Sequence, residues 1–205
     1  MPQTVRTTGF GSARAASESS SLGIPPARFR KGGRGERIGF ATAPSTFGSV
    51  VIGSTARGIC WLSLAASAAE AEASLRQEFP LAELLPDPTL APRIEDAIAS
   101  IQGRNSIGNP EIDLRGTTFQ LRVWQALCTI PRGQTRSYSQ LARELGAPRS
   151  ARAVARACAT NRVALLVPCH RVIGVSGSLA GYRWGIERKR RLLEAETSAK
   201  PPNHA

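Results

Sequence analysis

Long apolar runs, closely spaced cysteines and acidic residues late in the chain are what this 205-residue sequence lacks. No stretch reaches the 18 or more apolar residues that a membrane-spanning helix requires, so a membrane partner is not expected. The four cysteines, Cys60, Cys128, Cys158 and Cys169, are scattered without CxxC spacing, which argues against both a zinc cage and a disulfide scaffold. A reducing, cytoplasmic setting suits a chain that carries free thiols. No glycine-rich dinucleotide loop is present, so no cofactor is expected, and no metal. Aspartate is absent beyond Asp113, and residues 131–200 hold twelve Arg and two Lys against four Glu, which is +10 of the formal +12. Charge gathered in this way predicts a polyanionic partner, because neutralising phosphates releases counterions. A solvated arginine-rich surface is the competing explanation.

An apolar fraction of 41% supports a real core, and the length fits one ordinary domain or two small ones. Residues 1–36 are rich in Gly, Ser, Arg and Pro without periodicity and predict a segment with no packed core of its own. In composition it could pass for a transit peptide. Residues 38–43, 49–52 and 58–64 read as short strands separated by turns, followed by helices over 66–79 and 90–102. Nothing in this half looks reactive. Residues 113–116 lead into a helical second half. Thr118 is the expected N-cap of a helix through Phe119, Val123, Trp124 and Leu127. Ser139 caps 140–145, Gly146 and Pro148 break the chain, and Ser150 caps 151–159. Residues 174–181 form a glycine-rich loop where a wing would lie, and 187–196 form a closing helix.

The most informative string is Leu165-Leu166-Val167-Pro168-Cys169-His170-Arg171-Val172. An apolar run ending at proline would present Cys169 at a strand tip. His170 and Arg171 beside it would lower the thiol pKa, whereas burial alone would raise it. A buried, inert cysteine is the alternative. Because His170 follows on an extended segment, the two side chains should point apart, which makes direct proton transfer awkward.

Residues 168–172 (PCHRV) resemble the active-site motif of the O6-alkylguanine-DNA alkyltransferases. The resemblance extends to 119–124 (FQLRVW), 130–133 (IPRG), 137–142 (SYSQLA), 151–155 (ARAVA), Asn161, 181–185 (GYRWG) and 189–193. The pattern is that of the C-terminal half of bacterial Ada proteins. Residues 9–12 and 22–33 further resemble the end of an AraC-type helix-turn-helix, a truncated remnant unable to bind an operator alone. The resemblance implies an α+β fold. A small sheet-plus-helix, ribonuclease H-like domain (37–112) would precede a mostly helical, winged helix-turn-helix domain (113–197), with a tail at 198–205.

It also implies roles. Cys169 accepts the alkyl group irreversibly and once, from O6 of guanine and, in some members, O4 of thymine. A water links its thiol to His170, which Glu196 orients, with Glu194 the local competitor. Tyr138 donates to the purine ring. Val167 and Val172 read the guanine edge through their backbones, and Tyr182 lines the pocket. Asn161 tethers the segment before the thiol by hydrogen bonding to backbone. The helix bearing Ala151, Arg152, Ala155 and Arg156 enters the minor groove of double-stranded DNA, helped by Ser139. Arg152 fills the gap left by the flipped base. The protein would act as a monomer. A lesion-binding protein without transfer would lack the cysteine, a transcriptional sensor would need the missing N-terminal modules, and a cysteine hydrolase finds no local signature.

Overall fold

The computed structural model describes residues 32–104, 110–179 and 181–198; the readings for 1–31, 199–205 and part of the 174–181 loop lie outside the described residues. Three strands, β1 (Arg37–Ser45), β2 (Gly48–Thr55) and β3 (Gly58–Ala65), form an antiparallel meander. A fourth, β4 (Glu83–Pro86), pairs parallel to β1, giving the order β3-β2-β1-β4. The sequence reading missed β4. It is a short, largely exposed edge strand ending in proline, and it carries no alternating pattern to detect.

Both faces of the meander are covered, which is why 50–52 and 59–62 read as apolar runs rather than alternations. On one face Ile38, Phe40, Val51, Cys60 and Trp61 pack against Ala71, Leu75 and Phe79 from the helix α1 (Ala68–Glu78) and its end. On the other, Val50, Ile52, Leu62 and Leu64 meet Ile94, Ala97, Ile98 and Ile101 of α2 (Ala91–Ile101). The β2–β3 turn needs Gly58: at φ +131° a Cβ would sit 2.4 Å from the Glu111 carbonyl oxygen. Asp113 and Arg115, in the segment leading to the second half, form a buried pair at 2.8 Å, with Arg57 at 3.2 Å from Asp113 and Glu36 at 3.0 Å from Arg115.

The second half opens with α3 (Thr118–Cys128), then β5 (Arg136–Ser137), α4 (Tyr138–Glu144), α5 (Ala151–Ala159), β6 (Val172–Ile173) and α6 (Ile186–Ser198). Two caps differ from expectation for one reason. Thr117, not Thr118, caps α3, and Ser137, not Ser139, caps α4. Each true cap stands three residues before a glutamine, Gln120 or Gln140, which reaches back to the cap's own N–H and closes a capping box. Thr118 and Ser139 have no such partner and fall in the first turn. At α5, Ser150 occupies the cap position without a side-chain hydrogen bond. Trp124 Nε1 donates to the Ala157 carbonyl at 2.9 Å, tying α3 to α5. β5 and β6 pair in parallel through Arg136–Val172 and Ser137–Ile173.

One continuous apolar cluster runs from the second face of the sheet through α2 into Val123, Trp124, Leu127, Leu141, Val154 and Cys169. The sheet also continues toward the thiol: Leu62 N donates to the Arg162 carbonyl at 2.9 Å, and Ala164 N donates to the Leu62 carbonyl at 2.8 Å. The reactive segment thus hangs on β3, the strand edge contributed by the other half.

Candidate active site

The run before Cys169 is not a strand, contrary to the sequence reading. It folds into tight turns, with Leu166 N donating to Ala164 O at 2.7 Å and Cys169 N to Val167 O at 2.8 Å. Leu165 takes a left-handed φ of 67°, the one non-glycine to do so among the described residues. That conformation costs about 1–2 kcal/mol and persists because the surroundings fix it. The fixing group is Asn161, which is fully buried. Its Oδ1 accepts from Val163 N at 2.9 Å, and its Nδ2 donates to Val167 O at 2.9 Å and reaches Cys169 Sγ at 3.2 Å. A side-chain amide supplies the partners that a neighbouring strand would otherwise give.

Cys169 begins a turn of 3-10 helix, Cys169–Arg171, so the expected extended placement of His170 is also corrected. The thiol is 4% exposed. Burial pushes its pKa up to about 11, against the opposing influence of the Asn161 hydrogen bond and the charges of Lys189 and Arg183. It therefore rests as the neutral thiol near pH 7. The expected help from Arg171 is spent elsewhere: Arg171 Nη1 donates to the Ile130 carbonyl at 2.6 Å, and its Nη2 pairs with Glu196 at 2.8 Å.

His170 is fully buried, and its Nε2 lies 2.9 Å from Glu196 Oε1. Burial would raise the Glu196 carboxyl, but the hydrogen bonds from His170 and Arg171 outweigh it and hold the pKa at about 2. Gly133 N adds a further donor at 3.2 Å. Burial lowers the pKa of His170 despite Glu196, so the imidazole is neutral. A carboxylate beside Nε2 requires the proton on that nitrogen. Nδ1 is then the basic atom, and it has no hydrogen-bond partner among the described residues. Glu194, the competitor, is exposed on α6 and Glu196 is buried.

Lys189 was not anticipated. It is fully buried, its Nζ donates to the Val172 carbonyl at 2.6 Å, and it stands 5.9 Å from the centre of the Tyr138 ring. The available signal was spacing: positions 189, 192 and 196 share one face of α6 and are all buried. Within an arginine-rich helix, that lysine reads as solvated. Tyr138 is partly buried, and burial lifts its hydroxyl to about 12, so it stays a proton donor. Tyr182 packs edge-on to Trp184 at 5.2 Å, and its buried hydroxyl has no partner among the described residues. Val167 and Val172 are buried, with carbonyls already engaged by Asn161 and Lys189.

The residues expected to meet DNA occupy the outer surface. Arg152 and Arg156 are exposed on α5, while Ala151 and Ala155 beside them are half-buried. Ser139, Gln140, Arg143, Gly174 and Val175 line a shallow cavity of about 300 Å³ between α4 and the loop after β6. Val175 is 79% exposed there.

The family model for the DNA-binding domain of 6-O-methylguanine DNA methyltransferase matches residues 118–198. The chain is 52% identical over 117 residues to the methylated-DNA–protein-cysteine methyltransferase of Mycobacterium bovis, covering 57% of this chain and 71% of the relative. The crystal structure of Mycobacterium tuberculosis OGT in complex with DNA aligns with a TM-score of 0.66 at 39% identity, over 80% of this chain and 96% of that one. The chain belongs to the methylated-DNA–protein-cysteine methyltransferase family. It is also 42% identical over 177 residues to the Escherichia coli bifunctional transcriptional activator/DNA repair enzyme Ada, 86% of this chain but only half the length of that relative. Like the thiol of Cys169, the paired imidazole of His170 and carboxylate of Glu196 are buried. The described residues hold no cluster of His, Cys, Asp or Glu able to ligate a metal ion, and no described helix is long and apolar enough to cross a membrane.

Proposed function

We propose that this protein repairs DNA by moving a methyl or other alkyl group from O6 of guanine, and from O4 of thymine where the pocket admits it, onto Cys169. The observation that carries the reading is Asn161 Nδ2 at 3.2 Å from Cys169 Sγ, beside a His170 whose basic Nδ1 has no partner among the described residues. The thiol proton passes to Nδ1, through a bridging water in the family's manner, as the S–C bond forms and the C–O6 bond breaks. The electron pair of the broken bond goes to the guanine ring, which takes a proton from the neutral Tyr138 hydroxyl, and the proton held by the imidazolium is passed back to restore that hydroxyl. Glu196 stabilises the imidazolium without itself taking the proton. The thioether product has no leaving group, so each molecule acts once.

O6 faces the major groove of paired guanine, so the base must be flipped to reach a buried sulfur. Tyr138, Tyr182 and the Val167 and Val172 backbones would form its pocket. Ala151 and Ala155 would let α5 approach the minor groove closely, while Arg152 fills the vacated stack and Arg156 and Ser139 hold the backbone. Supporting finer assignments are the β3-β2-β1-β4 order, which suits a ribonuclease H-like sheet, and the α4–α5 pair beside β5–β6, which suits a winged helix-turn-helix. We place the domain boundary near residues 112 and 113. The partner is double-stranded DNA, with the protein acting as a monomer and without a cofactor.

The test is incubation of the protein with duplex carrying a radiolabelled O6-methylguanine. One label per molecule on the Cys169 peptide supports transfer. Label left on bound DNA means recognition alone, and repeated turnover means another class of enzyme. With Arg152→Ala, repair of duplex should fall roughly tenfold or more while reaction with free O6-benzylguanine is unchanged; equal losses would remove the flipping role.

A further inference from the structure

We infer that Glu78, at the end of α1 in the opposite half of the molecule, is a positioning residue that clamps the two segments flanking the reactive sulfur. The inference rests on the alkyl-transfer reading above and gives the N-terminal half a part in it. Glu78 Oε1 accepts from Arg162 Nε at 2.5 Å, and its Oε2 accepts from Arg183 Nη2 at 2.8 Å. Arg162 is the chain neighbour of Asn161, which holds Sγ, and of Val163, which bridges to Leu62. Arg183 is the chain neighbour of Tyr182. One carboxylate therefore spans the segment that feeds the thiol and the segment that would face the alkyl group.

The second of these segments needs such an anchor. Residues 182–184 belong to no helix or strand and lie between Gly181 and Gly185, both at positive φ (77° and 97°). Glycines in that region impose little on their neighbours, so side-chain contacts must set where Tyr182 stands. Tyr182 and Trp184 pack on the larger apolar cluster and against each other, Gly185 N donates to the Tyr182 carbonyl at 3.1 Å, Arg188 Nη1 donates to the Trp184 carbonyl at 2.9 Å, and between them Arg183 is held by Glu78 and the Trp61 ring, 5.0 Å away. A groove of about 710 Å³ lined by Glu70, Ser74, Gln77, Glu78, Arg183 and Arg188 lies alongside, so a released segment has room to move.

An isolated exposed ion pair would carry little of this. Here the Glu78 side chain is 19% exposed and serves two guanidiniums at once. Burial would raise its pKa, yet Arg162 and Arg183 bring it below the ordinary value. Without the carboxylate charge, Arg162 and Arg183 lose the counter-charge they share, and the tie between the 161–163 and 182–184 segments goes with it.

The experiment compares wild type, Glu78→Gln, Arg183→Gln and the double variant in single-turnover alkyl transfer from methylated duplex and from free O6-benzylguanine, normalised to folded protein. The expected result is a saturating rate lowered roughly fivefold or more on both substrates, duplex Kd within about twofold, and a double variant no slower than Glu78→Gln alone. Wild-type rates in Glu78→Gln, a loss confined to DNA affinity, or additive losses in the double variant would each overturn the clamp. Should Glu78→Gln fail to fold, Arg183→Gln, altered at a partly exposed side chain, carries the same comparison. A wild-type protein that takes no label sinks the alkyl-transfer reading; a labelled wild type beside an equally fast Glu78→Gln sinks the clamp alone.

Discussion

Cys60 and Cys169 sit in opposite halves of the molecule, are 1% and 4% exposed, and are both held above the ordinary thiol pKa by burial, to about 12 and about 11. Depth does not distinguish them, but the direction of their hydrogen bonds does. Cys60 gives its proton to a carbonyl, Gly53 O, at 3.5 Å, which favours the neutral thiol. Cys169 receives an N–H from Asn161 at 3.2 Å, which favours the thiolate. Around Cys60 the nearby charges include Asp113 and Glu36, which oppose ionisation; around Cys169 they are Lys189 and Arg183, which assist it. A buried thiol becomes a nucleophile through donors aimed at the sulfur and a base to take its proton, rather than through exposure.

Replacing Cys169 by Ser should have the largest effect, with alkyl transfer falling at least about a thousandfold, because a hydroxyl in the same surroundings is a far weaker nucleophile. DNA affinity should hold within a few-fold, since the outward arginines are untouched. Peptide mapping after exposure to methylated duplex is the measurement. Label on Cys60 or Cys158 in that variant would break the contrast between the thiols.

Glu196→Gln should come next, at roughly a hundredfold in transfer rate, the usual scale for disabling a general base. Gln cannot fix the proton on Nε2, and it leaves Arg171 without a counter-charge. The same carboxylate ties folding to acid. Its folded pKa of about 2 lies below the ordinary carboxyl value, so its contribution is complete above about pH 5 and lost as pH falls toward 2. The integrated effect is about 3 kcal/mol. His170, kept neutral by burial, acts in the same sense, since an unfolded imidazole gains a proton below about pH 6.5 that the folded one resists. Urea melts from pH 6 to 2 should show wild type losing stability steeply below about pH 5 and Glu196→Gln losing distinctly less over that range. Parallel curves would mean that the pair does not govern the acid limb.

Much of this was legible in the sequence, but unevenly. The meander, α1, α2 and the closing helix follow from apolar periodicity, and the family from motifs spread over residues 119–193. The strand assigned to 165–169 was wrong because an apolar run carries no sign of the buried amide that bends it; Asn161 competes for the backbone across a turn. The caps of α3 and α4 stand one and two residues before the hydroxyls that local spacing predicts, because the glutamine three positions on decides between neighbouring hydroxyls. Lys189 falls in the 189–193 stretch of resemblance, but its burial, like the place of Glu78, was hidden for a different reason. Each is a charged residue on a helix, the commonest surface pattern, and only tertiary packing turns it inward.

Asn161→Ala probes the donor directly. Removing the amide strips Val163 N and Val167 O of partners as well, so a loss of about 2–4 kcal/mol in stability is expected. The sharper readout is the pH dependence of Cys169 alkylation by iodoacetamide. The thiol pKa should climb from about 11 toward the value near 12 held at Cys60, leaving roughly a tenfold smaller thiolate fraction at a given pH. An unchanged titration curve would show that Asn161 shapes the segment without tuning the sulfur.

Cys60→Ala should have the smallest effect and is the control for the whole contrast. It removes one buried sulfur and its bond to Gly53 O, with the protein otherwise closed around Val51, Trp61 and Leu75. The cost is about 1–2 kcal/mol, a small cavity plus a weak hydrogen bond. Transfer from methylated duplex should stay within about twofold of wild type, because the cluster around Cys60 is separate from the one containing Cys169. A fall in transfer larger than the loss of folded protein would mean that the sheet communicates with the sulfur through β3, where Leu62 bonds to Arg162 and Ala164. The two thiols would then be coupled rather than merely alike in burial.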